Sequence, residues 1–249
     1  MTTSGETQGG FLVVGATGGI GSALARTLTE RGHRVAVAGR SAERVDALAD
    51  QLGAVPIVFD ATDAAAVDAG VAAAKERLGR LDGIANCVGS VLLKPAHLTK
   101  PEEWADTLAT NLGSAFAVVR AAGRTLRGSG GSVVLVATAA ARIGLPNHEA
   151  IAAAKGGVIG LARSAAATYA PAGIRFNAVA PGLVRTGATE RIWSSPAASK
   201  ASSGMHALGR FGEPDEVAAA IAWLLEPAQG WITGQVLGVD GGLADLKLH

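Results

Sequence analysis

The sequence predicts an α/β fold with one parallel β-sheet covered by helices on both faces. Short apolar segments alternate evenly with helix-length segments, and nothing in the 249 residues divides the chain in two. Parallel strands need crossover connections, usually helices, and these bury both faces of the sheet. We therefore expect a single doubly wound domain with one large core.

The predicted elements follow one another in order. Strand-like apolar segments cover residues 11–15, 34–39, 54–59, 82–89, 132–137, 174–181 and 235–240. Helix-compatible segments cover residues 19–32, 63–78, about 101–126, about 149–169 and 213–225. Short apolar runs bounded by turn residues are typical of buried strands. Such sheets bind ligands outside the carboxyl ends of their strands, so residues after each strand are the site candidates.

Two segments break the alternation. Residues 1–10 carry no basic residue and no apolar stretch, so we expect a short disordered tail, not a secretory signal, before a domain spanning 11–249. Residues 186–214 are rich in small residues and contain proline, which fits a poorly ordered insertion or a mobile lid. Their position after the sixth strand favours the lid. Trp193 and Met205 within it could contact a substrate or only pack.

Composition excludes several classes of protein. Hydrophobic residues make up 49% of the chain, but no apolar run is long enough to span a bilayer. The 22 Lys and Arg against 21 Asp and Glu leave a net charge of +1 and no basic patch for nucleic acid. The single cysteine, Cys87, cannot form an internal disulfide. We expect a soluble cytoplasmic protein that binds no nucleic acid, membrane or metal.

A glycine-rich turn follows the first strand and opens the first helix. It reads GATGGIG over residues 15–21. Glycines there let the backbone approach a pyrophosphate on the amino end of the helix, although they also serve ordinary tight turns. The placement between strand and helix favours a dinucleotide site. Its candidate residues are Gly15, Thr17, Gly19, Ile20 and Gly21.

The second strand ends in Gly39 and Arg40, where a dinucleotide fold recognises the adenosine ribose. An acidic residue here suits the ribose hydroxyls of NAD, whereas the guanidinium of Arg40 can bind a 2′-phosphate in bidentate fashion. A solvated surface arginine is the alternative. We favour NADP(H) as the cofactor.

The chain resembles the short-chain dehydrogenase/reductase family over residues 11–242, and that family's Rossmann-type fold agrees with the doubly wound prediction. Several motifs carry the resemblance in the family's order. They are the glycine turn, Asp60 in FDATD, NCVG at 86–89, Asn111 in the long helix, PGLVRT at 181–186 and the closing GQVLGVDGG.

The resemblance implies a set of cofactor contacts. Asp60 would contact adenine, and Lys155 would hold the hydroxyls of the nicotinamide ribose. Val184 and Thr186 would lie beside the nicotinamide carboxamide. The other residues that the motifs assign to the cofactor are Asn86, Gly89, Pro181 and Gly182.

The family's catalytic residues are asparagine, serine, tyrosine and lysine. The resemblance places Asn111, Thr138, Ile151 and Lys155 at those positions. Thr138 keeps a hydroxyl that could polarise a substrate oxygen, although a strand-end threonine without a role is the alternative. Ile151 cannot donate the proton that the family's tyrosine gives to an alkoxide. The only tyrosine, Tyr169, is eighteen residues further along the helix, about 27 Å at 1.5 Å per residue.

Three replacements for the tyrosine remain open. His148 or Glu149, just before the helix, could donate the proton, although both also fit as ordinary loop residues. A water ordered by Asn111 could relay a proton from Lys155. Alternatively, an iminium or a conjugated alkene would need no acid at that point.

Two functions are consistent with these residues. The first is an NADP(H)-dependent oxidoreductase that transfers hydride to or from a carbonyl, imine or conjugated alkene, using Lys155, Thr138 and Asn111. The second, suggested by Ile151, is a cofactor-binding protein without redox chemistry: a regulatory or structural subunit, a lyase or an isomerase. The resemblance also implies a homotetramer or homodimer, because the family's interfaces use the helices that carry Asn111 and Lys155.

Overall fold

Seven parallel strands form the centre of the structure, a computed structural model in which residues 8–247 are described. The strands are β1 (Gly10–Val14), β2 (Arg34–Gly39), β3 (Val55–Val58), β4 (Gly83–Asn86), β5 (Gly131–Val136), β6 (Ile174–Pro181) and β7 (Val236–Val239). Their order in the sheet is β3-β2-β1-β4-β5-β6-β7, and all neighbours pair in parallel. The doubly wound prediction is confirmed. The largest difference in strand limits is at β4, which ends at Asn86 and not at residue 89.

Most of the predicted disordered tail, residues 1–7, lies outside the described part of the chain. Gly10, which we assigned to that tail, instead begins β1 and pairs with Arg34 of β2. Its N–H donates to Asp82 Oδ2 at 2.7 Å. The sheet therefore starts one residue earlier than the apolar pattern suggests, because a glycine can pair through its backbone without adding an apolar side chain.

Nine α-helices flank the sheet within residues 8–247. They are α1 (Gly19–Glu30), α2 (Ala42–Leu52), α3 (Ala64–Leu78), α4 (Pro101–Leu108), α5 (Ser114–Thr125), α6 (Glu149–Tyr169), α7 (Glu190–Trp193), α8 (Pro196–Gly204) and α9 (Pro214–Leu225). In this described part, no helix combines the length and the apolar character needed to cross a membrane. Helix α2 was not predicted from the sequence. Its amino end is capped by Ser41, and its last turn is closed by Gly53 at φ +63°.

The sheet buries one apolar layer on each face. Helices α3, α5 and α6 cover one face with residues such as Val71, Val118 and Val158. Helices α1, α2 and α9 cover the other face with residues such as Leu24 and Ile221. Each fully buried large side chain contributes about 1.5–3 kcal/mol. These two layers fix the strand ends, and therefore the loops that carry the polar residues, relative to one another.

The helix predicted over 101–126 is interrupted. Residues Ala109–Gly113 form one turn of π-helix between α4 and α5. Side chains donate hydrogen bonds to backbone carbonyl groups around this wider turn. Asn111 Nδ2 donates to Thr107 O at 2.9 Å, and Ser114 Oγ donates to Thr110 O at 2.6 Å. The prediction of a continuous helix was wrong here, because the spacing of apolar residues does not reveal one additional residue in a turn.

The segment 186–214 contains regular structure and is not an irregular insertion. A 3₁₀ turn over Gly187–Thr189 leads into α7, and Pro196 starts α8 at a position that needs no N–H donor. That this segment moves as a lid remains a prediction.

Candidate active site

A cavity of about 680 Å³ runs along the carboxyl ends of the strands. Its walls include residues that follow β1, β2, β3, β4, β5 and β6, so it lies where doubly wound sheets bind their ligands. Neighbouring strands are about 4.8 Å apart, and β2 and β5 are three steps apart in the sheet, which separates their ends by about 14 Å. The cavity can therefore hold an elongated ligand across several strand ends.

The glycine turn has positions where only glycine fits. Gly15 has φ +76°, and a Cβ on it would lie 2.8 Å from Val88 N. A Cβ on Gly21 would overlap the carbonyl oxygen of Gly15. Helix α1 begins at Gly19, the residue before it, Gly18, offers no side-chain cap, and the first turn of the helix lines the cavity. The free backbone N–H groups of that turn can bind a phosphate.

Two arginines and one aspartate line the cavity after β2 and β3. They are Arg40, Arg44 and Asp60. Arg44 Nη2 donates to Thr17 O at 2.6 Å, which fixes its guanidinium beside the glycine turn. The pKa of Asp60 is lowered, chiefly because the Thr62 N–H and hydroxyl donate to Oδ1 at 2.9 and 2.8 Å, with a smaller contribution from Arg40. The carboxylate is therefore ionised, and the two guanidinium groups outnumber it.

Lys155 is a buried cation on the other side of the cavity. Its side chain is 5% exposed, and Nζ donates to Val136 O at 2.7 Å. Burial lowers the pKa of this ammonium to about 8, because the charged form loses its hydration. Cys87 would favour the charged form only as a thiolate, and burial raises the pKa of Cys87 itself to about 12. Near neutral pH Cys87 is therefore an uncharged packing residue and not an anionic partner for Lys155.

Asn111 is fully buried on the π-helical turn. Its Oδ1 accepts the Ser90 N–H at 3.2 Å, and its Nδ2 donates to Ser90 Oγ at 3.0 Å. A Cβ on Gly89 would lie 3.1 Å from Asn111 Oδ1 and 3.3 Å from Lys155 Nζ. The glycine therefore keeps open a small space beside both polar groups, which a hydroxyl or a water can enter.

Thr138 and Ile151 share a wall of the cavity with Lys155. Thr138 Oγ1 accepts the Ala140 N–H at 3.3 Å and lies 3.5 Å from Pro181 O, so this hydroxyl caps a short turn and still reaches the cavity. Ile151 is 5% exposed and offers only hydrocarbon. Other apolar residues line the cavity as well: Val91, Leu93, Leu145, Leu183, Ile192 and Met205.

His206 connects the segment 186–214 to the turn after β6. The ring is buried, with Nε2 accepting the Leu183 N–H at 3.0 Å and Nδ1 donating to Ser202 O at 2.9 Å. These partners define the tautomer, because a backbone N–H can only donate. Trp193 Nε1 donates to Thr186 O at 3.1 Å, and Trp193 lies off the cavity wall. Met205 reaches the cavity and Trp193 packs.

All but one of the residues assigned to the site from sequence line this single cavity. Those that do are Gly15, Thr17, Gly19, Ile20, Gly21, Arg40, Asp60, Gly89, Asn111, Thr138, Lys155, Pro181, Gly182, Val184 and Thr186. The exception is Asn86, which is buried in β4, where Nδ2 donates to Ser114 Oγ at 3.3 Å and Oδ1 accepts the Val88 N–H at 3.2 Å. Asn86 shapes the turn after β4 and does not line the cavity, so a direct contact between this residue and a cofactor remains a prediction.

Sequence reasoning missed three residues of the site: Arg44, Ser90 and His206. Arg44 lies four residues after Arg40, in the first turn of α2, and recognition of that helix would have pointed to it. No sequence signal identifies the other two, because their partners Asn111 and Leu183 are 21 and 23 residues away in the chain.

The fold and the cavity define the class of this protein: a doubly wound α/β protein with a ligand cleft at its strand ends and a glycine turn at the start of α1. The sequence pattern of the family described as enoyl-(acyl carrier protein) reductase matches residues 15–244. D-threitol dehydrogenase of Mycolicibacterium smegmatis is 37% identical over 237 residues, which are 93% of this chain and 91% of that protein.

Solved structures agree with this class. A short-chain type dehydrogenase/reductase from Mycobacterium ulcerans superposes with a TM-score of 0.91 at 30% identity, covering 97% of this chain and 91% of the other. A variant of actinorhodin polyketide ketoreductase with NADPH superposes with a TM-score of 0.88 at 30% identity, covering 98% and 100%. The chain belongs to the short-chain dehydrogenase/reductase family, whose relatives named here are oxidoreductases.

Proposed function

We propose that this chain is an NADP(H)-dependent oxidoreductase that transfers hydride to or from a carbonyl, imine or conjugated alkene of a small molecule. The observation that carries the proposal is the continuity of one cavity from Arg40, through the glycine turn, to Lys155 and Thr138. A pyrophosphate fits the first turn of α1, where the backbone is bare of side chains. The family relationship supports the redox class.

The preference for NADP(H) over NAD(H) rests on Arg40 and Arg44. Both line the cavity after β2, and a 2′-phosphate there would meet two guanidinium groups. The ketoreductase with NADPH, similar over its whole length, supports the same choice. Competition between NADPH and NADH for the protein tests this part of the proposal directly.

Four side chains of this chain would have separate roles at the nicotinamide end of the cavity. The bound nicotinamide would supply or accept a hydride. Lys155 would hold the adjacent ribose hydroxyls with its buried ammonium, and Asn111 would order a small polar group in the space beside Gly89. Thr138 would polarise the substrate oxygen by donating a hydrogen bond to it from its hydroxyl. Ile151 stands where the resemblance places a tyrosine, and it excludes water from that wall without donating a proton.

The test is binding followed by turnover. We expect saturable NADPH binding by fluorescence titration, tighter than NADH binding, and NADPH oxidation at 340 nm with at least one member of a panel of acetophenone, cyclohexanone, decanal, a cyclic imine and cyclohexenone. Stoichiometric NADPH binding without turnover of any panel member would contradict the redox assignment.

Ile151 favours a second candidate function: a protein that binds the cofactor without redox chemistry, as a subunit, a lyase or an isomerase. Loss of a general acid slows a reaction by about 10²–10⁴-fold, which leaves cofactor binding untouched. The variant Ile151→Tyr separates the candidates. Faster ketone reduction by the variant supports the redox scaffold, and inactivity of both proteins supports the second candidate.

We also propose that the protein works in the cytoplasm as a homo-oligomer. A single cysteine, Cys87, fits a reducing compartment. Phe116 on α5 is half exposed, and Trp104 on α4 is also exposed, on the helices that flank Asn111. Exposed aromatic side chains on these two helices suit contact with a second copy. Light scattering coupled to gel filtration should give a mass two or four times that of one chain.

A further inference from the structure

We propose that His148 is the proton donor for carbonyl reduction in this protein, in place of the phenol that position 151 lacks. The inference rests on the proposed redox function and narrows its substrate class to ketones or aldehydes, because these need a proton on oxygen. His148 lines the cavity, together with Thr138, Ile151 and Lys155. Glu149, the first residue of α6, is exposed and lies outside the cavity wall.

The position of His148 suits this role. It is the residue before the first turn of α6 and lies three residues before Ile151, so the two share a helix face. Side chains on a helix lean toward its amino end, so a long side chain at 151 would reach toward the turn that carries His148. An imidazole at 148 can therefore present a proton to the region that a phenol at 151 would have reached.

The ring is held in a defined state. Nδ1 lies 2.7 Å from Pro146 O, and a carbonyl oxygen can only accept, so Nδ1 carries a hydrogen. Within residues 8–247, Nε2 makes no hydrogen bond and is free for a ligand. The preceding residue, Asn147, adopts φ +64°, and its carbonyl oxygen accepts the Lys94 N–H at 2.8 Å. This left-handed residue turns the loop into α6 and fixes where the ring begins.

The other titratable groups near the reactive end of the described cavity are already hydrogen-bonded or hold their proton. Both nitrogens of His206 bond to backbone groups. Lys155 Nζ is directed to Val136 O, seven residues and about 10.5 Å of helix away from His148. Desolvation raises the pKa of the Cys87 thiol to about 12, so the thiol holds its proton. At this end His148 is the one titratable side chain, among the described residues, that keeps an uncommitted nitrogen.

The proton balance is simple. In the imidazolium form, the Nε2–H bond breaks and an O–H bond forms on the substrate, as the carbonyl π pair localises on oxygen. The two electrons that reduce the carbonyl come from a reduced nicotinamide dinucleotide. Neutral His148 keeps its Nδ1–H to Pro146 O, and water returns a proton to Nε2. Oxidation of an alcohol would run the same transfer backwards.

The decisive experiment compares His148→Ala and His148→Gln in two backgrounds, the natural chain and Ile151→Tyr, with acetophenone and cyclohexanone as probes. In the natural chain, each variant should slow single-turnover reduction by about 100-fold or more while leaving the Kd for NADPH within about twofold. In the Ile151→Tyr background, the same two substitutions should slow single-turnover reduction by less than about threefold, because the phenol then donates the proton. His97→Ala, an exposed histidine off the cavity wall, is the matched control.

Two further readouts separate proton donation from a structural role. Free imidazole should restore part of the turnover that His148→Ala loses. It would restore none of a loss that a general packing defect caused. Nitrogen-15 NMR of labelled histidine, assigned with His148→Gln, should show Nδ1 protonated in the resting protein. An equal loss in both backgrounds, a lack of rescue or an unprotonated Nδ1 would each overturn the proposal.

The failure of this inference is distinguishable from failure of the proposed function. Turnover by the natural chain that His148→Ala leaves intact would overturn the role of His148 alone. NADPH binding without turnover, in both the natural chain and Ile151→Tyr, would overturn the redox function and the donor together.

Discussion

Replacing Lys155 with methionine should stabilise the folded protein near neutral pH even as it removes a functional group. Burial lowers the pKa of Lys155 from 10.5 to about 8. Each pKa unit is worth about 1.4 kcal/mol, so keeping this ammonium charged in the folded protein costs about 3 kcal/mol at pH 7. Methionine has a similar length and carries no charge, so it avoids this cost while filling the same space.

The effect of Lys155 on the stability of the folded protein changes with pH. Between pH of about 8 and 10.5 the unfolded chain keeps the Lys155 proton and the folded chain releases it. The unfolded state then binds more protons, so the stability that depends on this lysine rises with pH through that window. The cost of the buried charge falls to about 1 kcal/mol at pH 10. The advantage of Lys155→Met should therefore be largest at pH 7 and shrink toward pH 10.

Denaturant unfolding at pH 7, 8, 9 and 10 would measure this difference. Cys87 also titrates differently in the two states, since burial raises its pKa to about 12, and the comparison with the natural chain at each pH cancels that contribution. Lys200→Met, at an exposed position in α8, is the control and should leave the pH curve unchanged. A stability gap that does not vary with pH, or a variant less stable than the natural chain at pH 7, would refute the reasoning.

Three other perturbations have defined outcomes. Arg40→Ala should weaken NADPH binding by about 10-fold or more and leave NADH within about twofold, because only the 2′-phosphate loses a partner; equal losses in fluorescence titrations would contradict the assignment. Gly21→Ala should abolish saturable binding of both nucleotides and destabilise the fold by about 1–3 kcal/mol, since its Cβ overlaps the Gly15 carbonyl. Calorimetry and thermal unfolding would measure both effects, and unchanged affinity would show that the turn can relax. Cys87 should resist iodoacetamide at pH 8 in the native protein and react in denaturant, because its pKa of about 12 keeps it a thiol. Mass spectrometry measures the extent of Cys87 labelling, and rapid labelling of the native protein would contradict this prediction.

The strands were predictable because they are short and largely apolar; β1 and β4 are buried throughout, whereas the edge strands β3 and β7 are only partly buried. The predicted limits of β2 and β6 agree with the structure, and those of β4 fail at one end, where Cys87 to Gly89 leave the sheet to line the cavity. Helix α2 could have been predicted, because Val45 and Ala49 recur at helical spacing on its buried face after the capping residue Ser41.

The lining of the cavity was predictable where a motif places a particular residue type at the end of a strand, as with the glycine turn and Arg40. Asn86 shows the limit of that reasoning. Its neighbours in the motif face the cavity, yet its own side chain points to Ser114, and the direction of a side chain after a strand depends on packing from distant elements. The tautomer of His206 depends likewise on a turn and a helix that meet only in the folded chain.

The π-helical turn between α4 and α5 makes this region more sensitive to changes in length than to changes in residue type. Removing one residue from Ala109–Gly113 would let the two helices join as one regular helix with the flanking turns close to their present orientation, and the wider turn that carries Asn111 would be lost. Asn111 would then lose its hydrogen bonds to Ser90. A single-codon deletion here should therefore inactivate a chain that still folds, whereas a deletion in the polar stretch between α3 and β4 would damage the sheet itself.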